Sequence, residues 1–243
     1  MSEETNQDRR RFLGVGLGAA AASLAPGVVL YGVAQAKTDS EPASNKVRWG
    51  MLVDTTKCAD NCDKCVSACA TENGWDKHTG RAETRPQWMR KVTLKDKVTR
   101  RTTSLPMMCQ HCEKPPCVDV CPTNASMKRE DGIVLVDKHR CIGCRYCMMA
   151  CPYKARSFVH EQVTDQKSYM PRGMGTVESC TFCVHRIDKG ESPACVEACP
   201  EKAIVFGDMN NANSEISHRL RLFSTTQIRD DLRLNLGVRY EGI

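Results

Sequence analysis

The run from Cys141 to Pro152 constrains this chain more than any other stretch, because its four cysteines follow a spacing with a defined geometric consequence. Gaps of two residues separate Cys141, Cys144 and Cys147, and Cys151 follows after three more residues. At this spacing the first three thiolates bind one cubane iron–sulfur cluster, whereas the fourth binds a neighbouring cluster. The run is therefore incomplete alone, and the chain must supply a reciprocal partner.

The remaining cysteines supply that partner. The chain contains sixteen cysteines, and they form four groups of four with none left over. The other three groups are Cys58, Cys62, Cys65 and Cys69; Cys109, Cys112, Cys117 and Cys121; and Cys180, Cys183, Cys195 and Cys199. The first departs from the pattern by one extra residue after Cys58 and by Ala70 in place of proline. Four complete sets of soft thiolate ligands predict four [4Fe-4S] clusters, whose iron is held by these cysteines.

Analogy with a two-cluster ferredoxin pairs the groups, so that each cluster takes three cysteines from one group and one from its partner. The predicted ligand sets are Cys109, Cys112, Cys117 and Cys151; Cys121, Cys141, Cys144 and Cys147; Cys58, Cys62, Cys65 and Cys199; and Cys69, Cys180, Cys183 and Cys195. This pairing predicts an α+β fold of two ferredoxin-like units with short strands, short helices and long loops.

The pairing also sets the expected domain boundaries. Residues 105–160 form the inner unit, and residues 47–104 and 161–210 form the outer unit around it. Residues 211–243 are left as a C-terminal tail, although Ser214 is expected to cap a short helix. The cysteine-free stretch 74–105 is a basic insertion with a predicted hairpin, 88–94 and 98–104. It is either a partner-docking or lipid-facing surface or a solvated insertion, and the sequence leaves both open.

Composition narrows the functional class. Aromatic residues make up only 5% of the chain, so the interior is organised around cofactors rather than around a large apolar core. The formal net charge is +6, but four thiolate-bound clusters, each about 2− when oxidised, would change it to about −2. This excludes a nucleic-acid partner on the basis of charge.

Other occupants of the cysteine groups fit less well. Zinc accepts two-residue gaps but does not explain three-cysteine runs followed by Cys-Pro. A disulfide framework conflicts with the crowding of the thiols, and covalent haem needs a Cys-x-x-Cys-His run that the chain lacks. His111 and His185 lie beside predicted ligands, where each either tunes a cluster or fills space. We find no nucleophile–base pair and no phosphate-binding loop, so we predict an electron conduit rather than an enzyme.

Residues 1–36 are interpreted as an export signal. Arg9-Arg10-Arg11-Phe12-Leu13 precedes a mildly apolar stretch that ends in Ala34-Gln35-Ala36, as in twin-arginine (Tat) signals. Asp8 and Gly14 depart from the fullest Tat pattern, and a Sec signal or a membrane anchor are the alternatives. Tat export carries folded proteins, so clusters can be inserted before the thiols meet an oxidising periplasm. We therefore expect a periplasmic protein, peripheral on the cytoplasmic membrane.

Two further stretches carry a family resemblance. Residues 105–117, Leu-Pro-Met-Met-Cys-Gln-His-Cys-Glu-Lys-Pro-Pro-Cys, and residues 208–217 resemble the four-cluster electron-transfer subunits of the dimethyl sulfoxide/polysulfide reductase type. The likeness covers about residues 47–240. The leader and Cys58–Cys65 are most similar to periplasmic iron–sulfur subunits of sulfite-reductase-associated complexes of the DsrMKJOP type.

The resemblance implies particular partners. They are a quinone-interacting integral-membrane subunit of the NrfD/DsrP type and other subunits of a DsrMKJOP-like complex, through which the chain would associate with the membrane. The implied process is dissimilatory sulfur metabolism. Two rivals stay open: the β subunit of a periplasmic molybdopterin oxidoreductase of the polysulfide, thiosulfate or dimethyl sulfoxide reductase type, and a free-standing periplasmic ferredoxin.

Overall fold

The computed structural model describes residues 43–77, 80–164 and 166–243, so the predicted export signal lies outside the described residues. The largest sheet has four strands in the order β8-β1-β10-β9. Its strands are β1 (Trp49–Asp54), β8 (Ile204–Asp208), β9 (Thr225–Thr226) and β10 (Val238–Glu241). Strand β1 is antiparallel to β8 and parallel to β10. The sheet thus joins segments from both ends of the described chain.

Three two-stranded sheets complete the β-structure among these residues. They pair β2 (Met89–Lys95) with β3 (Thr102–Met108), β4 (Ser126–Lys128) with β5 (Val134–Val136), and β6 (Ser157–Phe158) with β7 (Val177–Glu178). The predicted hairpin is confirmed, but its turn is longer than expected. The Asp96 carboxylate accepts hydrogen bonds from the backbone N–H groups of Val98 and Thr99 and closes a six-residue turn. Strand β3 then continues to Met108, directly before a cysteine.

The helices are short, and most of them carry or follow a cysteine. They are α1 (Lys64–Asn73), α2 (Pro116–Asp119), α3 (Tyr146–Ala150), α4 (Val184–Ile187), α5 (Ala194–Glu197) and α6 (Glu215–Leu222), with 3-10 turns at Ala82–Thr84 and Asp230–Leu232. Among these described helices, α6 alone has no cysteine in it or next to it. This mixture of short helices and strands is that of an α+β protein. None of the helices in the described ranges has the length and apolar character that a membrane crossing requires.

Residues 211–243, expected to form a tail, contribute to the main sheet and its cover. Ser214 caps α6 as predicted, because its hydroxyl accepts from the backbone N–H of Ser217 at 3.2 Å. Ile216 on this helix is fully buried, and so are Val238 and Tyr240 on β10. The end of the chain is therefore part of the core.

Candidate iron–sulfur sites

Cys121, Cys141, Cys144 and Cys147 line one open cavity. The loop that carries the last three needs Gly143, which has a φ of +71°. A Cβ atom at this position would lie 2.2 Å from the carbonyl oxygen of Gly175, so no larger residue fits without a shift. Cys144 is solvent-exposed. Three cysteines of one group and one of its partner group thus meet at the surface.

A second open cavity is lined by Cys58, Cys62, Cys65 and Cys199. Burial raises the pKa of the Cys65 thiol to about 11, and the nearby Cys58 and Cys199 contribute to this shift. The Lys91 ammonium donates hydrogen bonds to the carbonyl oxygens of Ala59 at 2.7 Å and Cys62 at 2.8 Å. A lysine of the basic insertion therefore fixes the loop with the extra residue after Cys58.

The third set, Cys109, Cys112, Cys117 and Cys151, is buried. Burial raises the pKa of the Cys112 thiol to about 12, and the adjacent Cys117 and Cys151 raise it further. Cys117 and Cys151 also raise the pKa of Cys109 beyond the effect of burial. Thiolate charges affect one another in this way only at short range, so the four thiols lie near one another.

The fourth set, Cys69, Cys180, Cys183 and Cys195, is also buried. Burial raises the pKa of the Cys69 thiol to about 12, with a further contribution from Cys183. The pKa of Cys195 is raised by burial and then by Cys69 and Cys183. The Asn73 amide lies 3.7 Å from the sulfur of Cys69 and 3.9 Å from that of Cys183.

All sixteen predicted ligands thus lie in four sets of four, each with three cysteines from one group and one from its partner. Burial raises the pKa of the buried thiols, so binding of an iron–sulfur group at these sites would require them to lose their protons. Thiolates are the donor set that iron–sulfur clusters require, so these residues fit such a group. No three His, Cys, Asp or Glu side chains in the described ranges lie close enough to hold a single metal ion.

Backbone N–H groups are directed at several of the sulfurs, which stabilises the thiolate form. The N–H groups of Ser126, Val177, Phe182 and Ala203 donate to Cys121, Cys141, Cys180 and Cys199 at distances between 3.3 and 3.5 Å. For Cys121 these hydrogen bonds determine the direction of the pKa shift. Burial would raise the pKa of this thiol, but hydrogen bonds led by that from Ser126 outweigh burial and lower it.

The four sites follow one another in a series. Cys65 and Cys69 stand one helical turn apart on α1 and belong to different sites. Burial raises the pKa of Cys117, and Cys147, which belongs to another site, is close enough to add to the shift. The two buried sites are linked by the stacked rings of His111 and Phe182, whose centroids lie 3.6 Å apart. The two sites with open cavities are therefore the ends of the series, and the two buried sites are its middle.

His111 is fully buried, which excludes a role as a solvent-exposed filler. Its Nδ1 accepts a hydrogen bond from the backbone N–H of Val134 at 3.0 Å, so the ring proton is on Nε2. Burial, together with Arg48 and Arg156, lowers the pKa of His111 to about 3, and the ring is neutral. His185 instead pairs with the Glu72 carboxylate at 2.8 Å.

Two contacts of arginine side chains with the cysteine sites are not predicted from the sequence. Arg90, in the basic insertion, donates to the carbonyl oxygens of Tyr153 at 3.0 Å and Lys154 at 2.9 Å, next to Cys151. With Lys91, it shows that part of the insertion faces the cysteine loops rather than solvent or a partner. The second contact is that of Arg156, whose guanidinium donates to the sulfur of Cys117. In the sequence, its position five residues after Cys151 is the only sign of this role.

This arrangement defines a multi-cluster ferredoxin-like electron carrier, and residues 101–209 match the 4Fe-4S dicluster domain family. The chain belongs to the family of [4Fe-4S] electron-transfer subunits of oxidoreductase complexes. It is 44% identical to the Hdr-like menaquinol oxidoreductase iron–sulfur subunit 1 of Archaeoglobus fulgidus, over 96% of this chain and 97% of the relative. It is 40% identical to protein NrfC of Escherichia coli (88% and 85%) and 38% identical to a tetrathionate reductase subunit of Salmonella typhimurium (88% and 79%).

Proposed function

We propose that this chain passes electrons between a quinone-interacting membrane subunit and a redox partner, through four [4Fe-4S] clusters and without a catalytic site of its own. The observation that carries the proposal is the series of four cysteine sets, with an open cavity at each end and two buried sets between them. A series with two accessible ends suits a conduit, because electrons can enter at one end and leave at the other.

Each cluster would be held by one of the four sets of thiols described above. Bound there, it supplies one-electron redox chemistry. The protein contributes the rest: it keeps two sites away from water, stabilises thiolates with backbone N–H groups, and holds neighbouring sites close. Neighbouring sites meet at three places. These are the helical turn between Cys65 and Cys69, the region where Cys117 lies near Cys147, and the stacked rings of His111 and Phe182.

For the partners, we propose an integral-membrane quinone-interacting subunit of the NrfD/DsrP type. The similarity to a menaquinol oxidoreductase subunit over nearly the whole of both chains supports it. The twin-arginine leader and the Cys58–Cys65 spacing further support a DsrO-like role in a DsrMKJOP-like complex of dissimilatory sulfur metabolism. The second candidate, a β subunit of a periplasmic molybdopterin oxidoreductase, is favoured by the similarity to the tetrathionate reductase subunit.

Purification of the intact complex from detergent-solubilised membranes tests this function. A menaquinol analogue added to the complex should reduce the clusters, detected as EPR signals, while the isolated chain should stay oxidised because it has no quinol site. Co-purification of a large molybdopterin subunit would favour the second candidate. Recovery of the chain from the soluble fraction without partners, still able to exchange electrons, would instead indicate a free-standing ferredoxin.

We also propose that the protein reaches the periplasm through the Tat pathway and remains peripheral on the cytoplasmic membrane. Replacing both Arg9 and Arg10 with lysine should leave precursor in the cytoplasm, because the Tat receptor reads the arginine pair. Cell fractionation with immunoblotting measures the distribution, and Arg11→Lys serves as the control outside the pair. Continued export of cluster-loaded double mutant would contradict the Tat assignment.

A further inference from the structure

Arg156 is a buried arginine located directly before β6, with 5% of its surface exposed. Removing a guanidinium from water is costly unless its charge and its donors are matched by partners. The partners of Arg156 are thiols rather than a carboxylate. Burial alone would lower its pKa, but Cys117, Cys109 and Cys147 outweigh this effect and raise it.

The contacts of Arg156 reach two different sites. Its Nη2 donates to the sulfur of Cys117 at 3.1 Å. Cys147 packs in the same buried cluster as Cys117, and the positive charge of Arg156 opposes the rise in the pKa of the Cys147 thiol that burial causes. Cys117 belongs to the buried set that includes Cys151. Cys147 belongs to the set that lines an open cavity together with Cys144. One fixed positive charge thus stands between two neighbouring sites.

The guanidinium also has donors that no neighbouring group satisfies. Its Nε and Nη1 atoms are buried and have no acceptor among the described residues. An arginine side chain carries five N–H groups in a rigid fork, and leaving them unpaired in the interior is unfavourable. Sulfur atoms of clusters bound at the two sites would be acceptors of suitable charge for these N–H groups.

We propose that Arg156 is a shared electrostatic tuning residue, which raises the reduction potentials of the two clusters bound at the Cys117 and Cys147 sites together. This inference rests on the proposed function, since it takes the two sites to hold clusters. Reduction adds one negative charge to a cluster. A buried positive charge beside its ligands therefore favours the reduced state, and the low internal dielectric strengthens this effect.

An EPR-monitored redox titration of Arg156→Gln tests the proposal, because glutamine keeps a hydrogen-bond donor and removes the charge. Two of the four couples should shift to lower potential, each by at least about tenfold in the reduction equilibrium, which is about 59 mV for one electron. The other two couples should stay in place. Arg156→Lys, which keeps the charge and loses the fork, should shift the same two couples less.

Arg140→Gln is the matched control, since Arg140 precedes the ligand Cys141 but its side chain is 64% exposed. Solvent screens such a charge, and its removal should move no couple by as much as about tenfold. The proposal would be overturned if Arg156→Gln shifted no couple or only one. It would also be overturned if Arg140→Gln produced shifts equal to those of Arg156→Gln. Iron analysis separates this from failure of the proposed function: wild-type protein with far fewer than four clusters would refute the four-cluster assignment itself.

A second measurement keeps the proposal testable if Arg156→Gln does not assemble its clusters. Wild-type protein grown with 15N-labelled arginine should show 15N hyperfine coupling to two of the reduced clusters in pulsed EPR. The coupling should disappear in Arg156→Lys and persist in Arg140→Gln. Coupling to no cluster, or to one alone, would show that the guanidinium is not shared.

Discussion

Cys151→Ser is expected to damage the same cluster as Cys112→Ser and a different one from Cys144→Ser. Cys151 is close in sequence to Cys147, but its thiol lies with Cys112 and Cys117, and its negative charge adds to the effect of burial in raising the pKa of Cys112. Loss of one thiolate should convert that cluster to a three-iron form or remove it. EPR spectra of the three variants, recorded over a redox titration, measure which signal changes in each.

Because cluster loss also removes stability, the experiment must show that each variant is still folded. Each variant should therefore retain the signals of the other three clusters, apart from altered spin coupling between neighbours. If Cys151→Ser and Cys144→Ser affect one cluster and Cys112→Ser another, each cysteine group binds its own cluster. The reciprocal pairing, and with it the order of sites along the series, would then be wrong.

Removal of residues 235–243 should prevent accumulation of cluster-loaded protein. This segment contains Leu236, Val238 and Tyr240, each with at most 1% of its surface exposed. Burial of such side chains contributes roughly 1.5 to 3 kcal/mol each, and their combined loss approaches the about 5 to 15 kcal/mol that stabilises a typical domain. The segment also supports a cysteine loop, because the Gly237 N–H donates to the Gln110 carbonyl oxygen at 2.8 Å.

The point variant Val238→Asp should reproduce much of this effect, because it places an unpaired carboxylate in the interior. Val98→Asp is the control: Val98 lies in the hairpin turn, is 89% exposed, and should change the free energy of unfolding by less than about 0.5 kcal/mol. Iron content after purification and thermal unfolding measure the outcome. A truncated protein with full iron content and an unchanged Tm would show that β10 is dispensable.

The cysteine spacing predicts most of the candidate sites, because ligand geometry leaves few ways to place three thiols around one cubane. It is less informative about elements that form through long-range contacts. Strand β10 and the residues before it have alternating Leu234, Leu236, Val238 and Tyr240, which is a strand pattern, but the parallel partner β1 lies almost 190 residues earlier. Nothing local indicates that pairing, so the sequence alone predicts a tail.

Arg156 could not be predicted for a different reason. In sequence, an arginine beside a short strand is ordinarily a solvated charge, and only the fold shows that it is buried against the Cys117 thiol and near that of Cys147. The same holds for Arg90 and Lys91, which the sequence placed in a basic insertion. Composition shows how many charged side chains a segment carries. Whether these side chains point to solvent or to the interior depends on contacts with distant loops.

The position of β10 has a consequence for how the protein is made. It is translated after β1, β8 and β9, yet it lies between β1 and β9, so the main sheet cannot close until β10 has emerged from the ribosome. The site with Cys58, Cys62 and Cys65 likewise waits for Cys199. By contrast, the sets with Cys117 and Cys147 are complete in sequence once residue 151 has emerged. Cofactor insertion can therefore begin on the nascent chain at these two sites, whereas the other two sites must wait until Cys195 and Cys199 have emerged.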